Sequence, residues 1–217
     1  MADYRASLNP QKALIWRIVH RDNLQWILEN GLYCSSDHHQ AAPDWVGIGN
    51  PELIDKRSRR PIPCPPGGYL HDYVPFYFTP FSPMLYNIHT GRGGIQQRTN
   101  DEIVILVSSL PRLQALDVPF LFTDSHAYYQ WANFYFDLSD LDKINWAILQ
   151  TKDFRRDPDN PEKFEQYQAE ALIHQHLPIS GLLGIVCYTD SVKQAVEQVL
   201  QAQHLKLPVH TRPNWYF

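Results

Sequence analysis

Four cations stand within five positions at Lys56-Arg57-Ser58-Arg59-Arg60, followed by the stiff stretch Pro61-Ile62-Pro63-Cys64-Pro65-Pro66-Gly67-Gly68. Guanidinium groups held on a restrained backbone suit phosphate oxygens, because their planar forks make paired, charge-assisted hydrogen bonds. A basic run is more often simply a solvated face. Its neighbours favour a ligand: five aromatic side chains fall between Tyr69 and Phe78, and His38, His39 and His71 lie close in sequence. That mixture suits stacking on unpaired bases. On strand alternation Tyr73, Pro75 and Tyr77 share one face and Val74, Phe76 and Phe78 the other, so one row can enter the core while the other lines a pocket for a planar ring. A plain core strand fits the same pattern equally well.

Glu170 stands alone before the apolar Ala171-Leu172-Ile173. A carboxylate where burial begins is paired, solvated or functional, and ordinary surface placement is the commoner outcome. His20, His126, His174 and His176 carry the same ambiguity. No Cys-x-x-Cys or His-x-x-x-His spacing occurs, so no metal site is expected. No Gly-x-Gly-x-x-Gly or Walker-type loop occurs either, so a nucleotide would need another scaffold. The odd, scattered set Cys34, Cys64 and Cys187 reads as reduced thiols.

These residues need elements to position them. Residues 13–20 read as a strand, and Asp22 or Asn23 can cap a short helix with Leu24, Ile27 and Leu28 on one face before Gly31 stops it. Residues 33–68 are weakly patterned and read as a long loop with a basic centre. Strands are expected at 74–78, 103–107, 119–122 and 184–188, and one beginning near Glu170 is favoured over a helix end. Residues 125–136 are aromatic-rich and expected to be helical. A charged loop at 153–168 turns helical after Pro161. Residues 191–203 form an amphipathic helix with Val192, Val196, Val199 and Leu200 on one side, and 208–212 close as a strand. Short strands outnumber helices, which predicts a mixed α+β fold.

The 217 residues, 44% hydrophobic and 13% aromatic, supply one core and no obvious linker, so a single domain spanning 1–217 is expected. No apolar run approaches the ~20 residues of a membrane span, and the polar start lacks an export signal. A cytoplasmic protein with no membrane partner is the expectation. Net charge is −4, unevenly spread: residues 1–100 carry ten Lys/Arg against eight Asp/Glu, residues 101–217 nine against fifteen. A locally basic, nucleic-acid-facing site on an acidic body is compatible with that division.

Several segments, in order over nearly the whole chain, resemble the DarT family of DNA ADP-ribosyltransferase toxins from bacterial toxin–antitoxin pairs. They are His20-Arg21-Asp22-Asn23-Leu24 with Gly31-Leu32, the Pro65-Pro66-Gly67-Gly68 turn, Val74-Pro75-Phe76-Tyr77-Phe78 leading to Ser82-Pro83-Met84-Leu85-Tyr86, Phe122-Thr123-Asp124-Ser125-His126, Gln168-Ala169-Glu170, and Arg212-Pro213-Asn214-Trp215-Tyr216. The resemblance implies an ADP-ribosyltransferase fold, a split mixed β-core with surrounding helices and long loops around an NAD+ cleft. It implies transfer of ADP-ribose from NAD+ to a thymine base in single-stranded DNA, with no metal, and a macrodomain antitoxin, DarG, as partner.

By the same resemblance Glu170 matches the catalytic glutamate and Arg57 the active-site arginine. His20, Asn23, Leu24, Tyr77, Met84 and His126 match cofactor positions. Where many relatives carry Tyr-His this chain has Trp16-Arg17, which implies that Arg17 meets the nicotinamide or ribose as a guanidinium. Arg155 and Arg156, in the loop before Glu170, are expected to contact DNA together with Lys56, Arg59 and Arg60. Breaking the glycosidic bond of NAD+ builds positive charge on the ribose, which a carboxylate favours, and a single strand spares the cost of flipping a base from a duplex. Two other readings are a transferase acting on RNA or protein, and a non-catalytic single-strand-binding module.

Overall fold

The computed structural model describes residues 4–37, 42 and 44–217, so His38 and His39 lie outside the described residues. Along the chain run β1 (Leu14–His20), α1 (Leu24–Asn30), β2 (Leu32–Tyr33), α2 (Pro51–Ser58), β3 (Tyr73–Tyr77), α3 (Pro83–Thr90), β4 (Ile103–Ser109), α4 (Leu110–Ala115), β5 (Phe120–Thr123), β6 (Phe134–Tyr135), α5 (Trp146–Gln150), α6 (Lys163–Gln166), β7 (Glu170–His174), β8 (His176–Leu177), β9 (Gly184–Cys187), α7 (Asp190–Ala202) and β10 (Val209–Thr211). Local chemistry sets many of the boundaries. Asn50 caps α2 by accepting the Glu52 and Leu53 amides, with Pro51 at the first helical position. Ser82 and Pro83 do the same for α3, and Thr189 caps α7, which buries Val192, Val196 and Leu200. Gly31 ends α1 at φ 87°, where a Cβ would collide with the His176 ring.

Eight strands form one sheet in the order β10-β9-β4-β1-β3-β7-β5-β6, with β2 and β8 paired apart from it. Among the described strands only β9 and β10 pair in parallel; the α+β expectation holds. β1 and β4 share a ladder from Leu14↔Ser109 to His20↔Ile103, and β3 and β7 one from Tyr73↔His174 to Tyr77↔Glu170. Between these halves β1 meets β3 at a single pair, Trp16↔Tyr77. Pro75 contributes to the split: it has no N–H to offer on the side where its carbonyl faces β1. Arg17 fills in, its Nη1 donating to the Pro75 carbonyl at 2.7 Å. The sheet therefore divides, and a cleft opens there.

The core follows the apolar runs. Ile103–Leu106 of β4 are buried, as are Ile15, Trp16, Ile18 and Val19 of β1. The β3 alternation resolves into both of its readings at once: Val74, Phe76 and Phe78 are wholly buried, while Tyr73, Pro75 and Tyr77 line the cleft. The C-terminal Trp215 packs edge-on against Trp16, and Tyr216 Oη donates to the carbonyls of Ile103 and Val186, tying β4 to β9.

Three expectations are corrected. Residues 33–68 contain a helix, α2, and the basic run lies on it and just beyond. Residues 125–136 are turns ending in β6, because the His126 and Ala127 amides go to the Glu165 carbonyl and the Glu170 carboxylate instead of to a helical ladder. Asn23 does not cap α1 with its side chain. A 3-10 turn at Arg21–Asn23 precedes the helix, and the Asn23 amide group exchanges two hydrogen bonds with the backbone of Val46.

Candidate active site

Glu170 opens β7 at the split. Its amide donates to Thr123 Oγ1 at the end of β5, and its side chain is almost fully buried, so the surface reading of this carboxylate fails. A buried carboxylate survives only with partners. Arg57 Nη1 reaches both oxygens, at 3.1 and 2.9 Å, and the Ala127 amide donates to Oε1 at 3.1 Å. His126 Nδ1 also lies 3.1 Å from Oε1, but that nitrogen accepts the Tyr128 amide. Burial pulls the His126 imidazole below its ordinary range, against the opposing pull of the Glu170 charge. The resting imidazole is neutral, and its contact with Glu170 becomes an ion pair only on protonation.

Two guanidiniums flank this one carboxylate. Arg57 comes from the last turn of α2, a helix that buries none of its residues, and its Nη2 has no partner among the described residues. Arg17, from the middle of β1, is pulled down to about 10, chiefly by burial, with Arg57 adding repulsion and Tyr77 and Glu170 opposing it. Its Nε also has no partner among the described residues. Burial pushes the Tyr77 phenol well above its usual range, so it stays neutral, with Met84 Sδ 3.8 Å from its hydroxyl. With His126 neutral the cluster is net positive, which suits an anionic substrate.

The cluster sits in a cleft of about 390 Å³ bounded by β1, β3, α2 and the loop before α2, a size ordinary for a small-molecule site. Arg17, His20, Asn23, Tyr77, Met84 and His126 all line it with Arg57 and Glu170. Leu24 does not; it packs in the core beneath α1, since it faces inward with Ile27 and Leu28. A larger polar groove of about 710 Å³ carries Asp124, Asp142, Glu162 and Glu165 against Lys143 alone. That charge balance disfavours a dinucleotide. Among the described residues no group of three or more His, Cys, Asp or Glu side chains could hold a metal ion, and no helix is long and apolar enough to cross a membrane.

The predicted nucleic-acid residues are spread over two loops and a helix end. Lys56 pairs with Glu52 and Arg59 with Asp55 along α2, while Arg60 Nη2 donates to the Tyr129 carbonyl. Arg155 pairs with Asp153, and Arg156 lies over the Phe164 ring. The exposed pairs cost little to exchange for phosphates.

Sequence reasoning missed several cleft and rim residues. Trp26, Tyr33 and Trp45 line the cleft, and Thr123 and the Ala127 amide fix Glu170. Trp131 stacks on Tyr129 at 4.8 Å and 8°, largely exposed. The exposed tryptophans are themselves a signal, because large aromatics left in water mark contact surfaces.

Comparison with known proteins agrees with this geometry. A family model described as ssDNA thymidine ADP-ribosyltransferase, DarT, matches residues 16–217. A DNA ADP-ribosyl transferase of Escherichia coli O127:H6 (strain E2348/69 / EPEC) is 66% identical over 215 residues, 99% of this chain and 98% of its own. Thermus sp. 2.9 DarT in complex with ADP-ribosylated ssDNA is similar with a TM-score of 0.87 at 35% identity, covering 96% of this chain and 98% of that one. The same protein in complex with NAD+ gives 0.84 at 35% identity, covering 96% and 99%.

Proposed function

The chain belongs to the DarT family of ssDNA thymidine ADP-ribosyltransferases, and from that footing we propose that it moves ADP-ribose from NAD+ to a ring nitrogen of thymine in single-stranded DNA, releasing nicotinamide. One observation carries the reading: Arg57 and Glu170, 113 residues apart in sequence, meet at 2.9 Å in the cleft at the split of the sheet. NAD+ is a substrate here, held by His20, Asn23, Arg17, Tyr77, Met84 and His126.

As the bond between nicotinamide and ribose breaks, nicotinamide leaves as a neutral ring and the sugar becomes oxocarbenium-like. Glu170 opposes that charge and accepts a ribose hydroxyl. Its pairing with Arg57 and Ala127 restrains the carboxylate, so little reorganisation is needed at the moment of reaction. The thymine nitrogen forms the new bond to the sugar carbon and loses its proton, which Glu170 receives. Arg57, a fork of N–H donors with no acceptor, holds the developing base anion. Neutral Tyr77 gives the nicotinamide an apolar wall.

The acceptor strand runs along Lys56, Arg59, Arg60, Arg155 and Arg156, with the exposed Tyr129–Trp131 pair beside Arg60 as a stacking platform. The protein acts in the cytoplasm as a toxin that blocks replication, opposed by a DarG macrodomain antitoxin. The test is labelled NAD+ offered with single-stranded DNA, duplex DNA, RNA and bulk protein. Label goes to thymine-containing single strands; label on RNA or protein alone, or on nothing, overturns the assignment.

A further inference from the structure

The β5–β6 hairpin is closed by a side chain where its backbone ladder gives out. Phe122 pairs with Tyr135 and Thr123 with Phe134, so the next rung of this antiparallel register falls between Asp124 and Asn133. The Asp124 carboxylate makes that rung. Its Oδ1 accepts the Asn133 amide at 3.2 Å and the Ser125 hydroxyl at 3.3 Å, and its Oδ2 accepts Asn133 Nδ2 at 2.7 Å and Tyr135 Oη at 3.2 Å. Burial and then the Asp124 charge push the Tyr135 phenol up to about 12, so that hydroxyl stays a donor at neutral pH. These neutral donors occupy the carboxylate, which is therefore not free to hold a cation in the polar groove it borders.

Residues 125–133 become a closed loop, well beyond the ~2–5 residues usual for a hairpin connection. Both sides of the proposed transfer meet on it. On the donor side the Ala127 amide holds Glu170 Oε1 at 3.1 Å, and Thr123 Oγ1, which accepts the Glu170 amide, donates to the Ser125 carbonyl at 2.6 Å. On the acceptor side Arg60 Nη2 holds the Tyr129 carbonyl at 3.0 Å, and Trp131, stacked on Tyr129, donates its Nε1 to Glu165 Oε2 at 2.8 Å. The His126 amide reaches the Glu165 carbonyl at 3.1 Å and links the two sides. Fixing the ends of the loop lowers the entropy lost in forming each of these contacts.

Resting on the transferase reading above, we propose that Asp124 is a positioning residue for the reaction: by closing the 125–133 loop it holds the Ala127 clamp on Glu170 and the Tyr129–Trp131 acceptor surface as one unit. A strand seated on the rings is then presented to a carboxylate already in place. Asp124 acts through the loop and touches neither NAD+ nor the base.

The experiment is a reciprocal exchange. Asp124→Asn keeps the shape but sets an N–H against either the Asn133 amide or Asn133 Nδ2, whichever way the new group turns. Adding Asn133→Asp gives that N–H a carboxylate again. In steady-state transfer from NAD+ to a thymine-containing oligonucleotide, Asp124→Asn should lower kcat and raise the oligonucleotide KM, cutting kcat/KM by roughly tenfold or more, the scale of a hydrogen bond to a charged group left unmade. The KM for NAD+ should move least, since of this loop only His126 lines the cleft. The paired variant should recover most of the loss, whereas Asn133→Asp alone, which sets two carboxylates face to face, should be impaired like Asp124→Asn. Asn133→Ala, which removes a single exposed donor, should give the same split in smaller measure and serves if the exchange variants do not fold. Unchanged kinetics, a loss shared equally by both substrates, or a paired variant no better than its parents overturns the role. Hydrogen exchange reads the neck of the loop even if no transfer occurs: Asp124→Asn should speed exchange at the Ala127 and Asn133 amides and leave the β4 amides as slow as before, and unaltered exchange at Ala127 sinks the proposal. Absence of transfer by the unaltered chain, with that exchange pattern present, counts against the transferase reading instead.

Discussion

Glu170 and Arg57 form a buried couple in which neither charge is comfortable alone. Removing the cation strands the carboxylate, and uncompensated charges of this kind cost about 3 kcal/mol. Arg57→Ala should therefore lower thermal stability markedly, while Arg57→Ala combined with Glu170→Gln should recover most of it; additive losses in that double-mutant cycle would show the two do not share an interaction. Glu170→Gln alone preserves shape and removes the charge that opposes the oxocarbenium, so kcat should fall by about 10²–10³ with NAD+ binding largely kept. His126 makes a pH prediction. Its imidazole titrates lower when folded than the ordinary 6.5, so below that pH the unfolded chain binds the proton first and stability is lost as the pH falls. His126→Gln should flatten the drop in melting temperature between neutral and mildly acid solution, and an unaltered slope would assign the acid sensitivity elsewhere. At this scale the sequence pointed to Glu170 and Arg57 through resemblance alone, since a lone carboxylate and a charge run look like surface. Burial by Thr123 and the Ala127 amide is a three-dimensional fact with no local signature.

Among the elements, α2 carries the most function on the least packing. It buries none of its residues, so its cap and the Arg57 ion pair do much of the anchoring. Asn50→Ala removes the acceptor for two amides and should cost about 1 kcal/mol; because Arg57 sits eight residues or fewer along the same helix, the KM for NAD+ should rise with it. A variant with full stability and unchanged kinetics would mean that α2 is held by other means. The Asn50-Pro51 pair was a legible start signal inside residues 33–68, masked by the surrounding Pro, Gly and Asp. Residues 125–136 misled in the opposite sense: their aromatic density suggests a packed helix, yet their amides are committed to Glu165 and Glu170. β1, β3, β4, β7 and β9 were readable because buried strands are runs of branched and aromatic residues. Their order was not, because pairing is set by contacts distant in sequence, and neither was the Trp16↔Tyr77 seam. The terminal Trp215-Tyr216 motif marks a structural tie across β4 and β9, not a piece of the cleft.

Across the whole molecule, a chain of net charge −4 brings two cations, Arg17 and Arg57, into one cleft, with Lys56, Arg59 and Arg60 beside Arg57 on α2 and just past its end. The cations proposed to meet the acceptor strand are paired with Glu52, Asp55 and Asp153. Replacing Arg59 and Arg60 together by alanine should weaken single-strand affinity at low salt and lower the slope of log affinity against log salt by about 0.7 for each phosphate left without its cation. An unchanged slope would place the DNA elsewhere. The split sheet unites the scales: the cleft opens beside Pro75, β7 brings Glu170 to it, and α2 brings Arg57 onto that carboxylate. The most direct test is mass analysis of a single-stranded oligonucleotide containing one thymine after incubation with NAD+. One ADP-ribose should be added on the thymine base, with nicotinamide released in equal amount, and the Glu170→Gln chain should add almost none. An adduct on another base or on the backbone, or undiminished transfer by the Gln variant, would contradict the role given to this cleft.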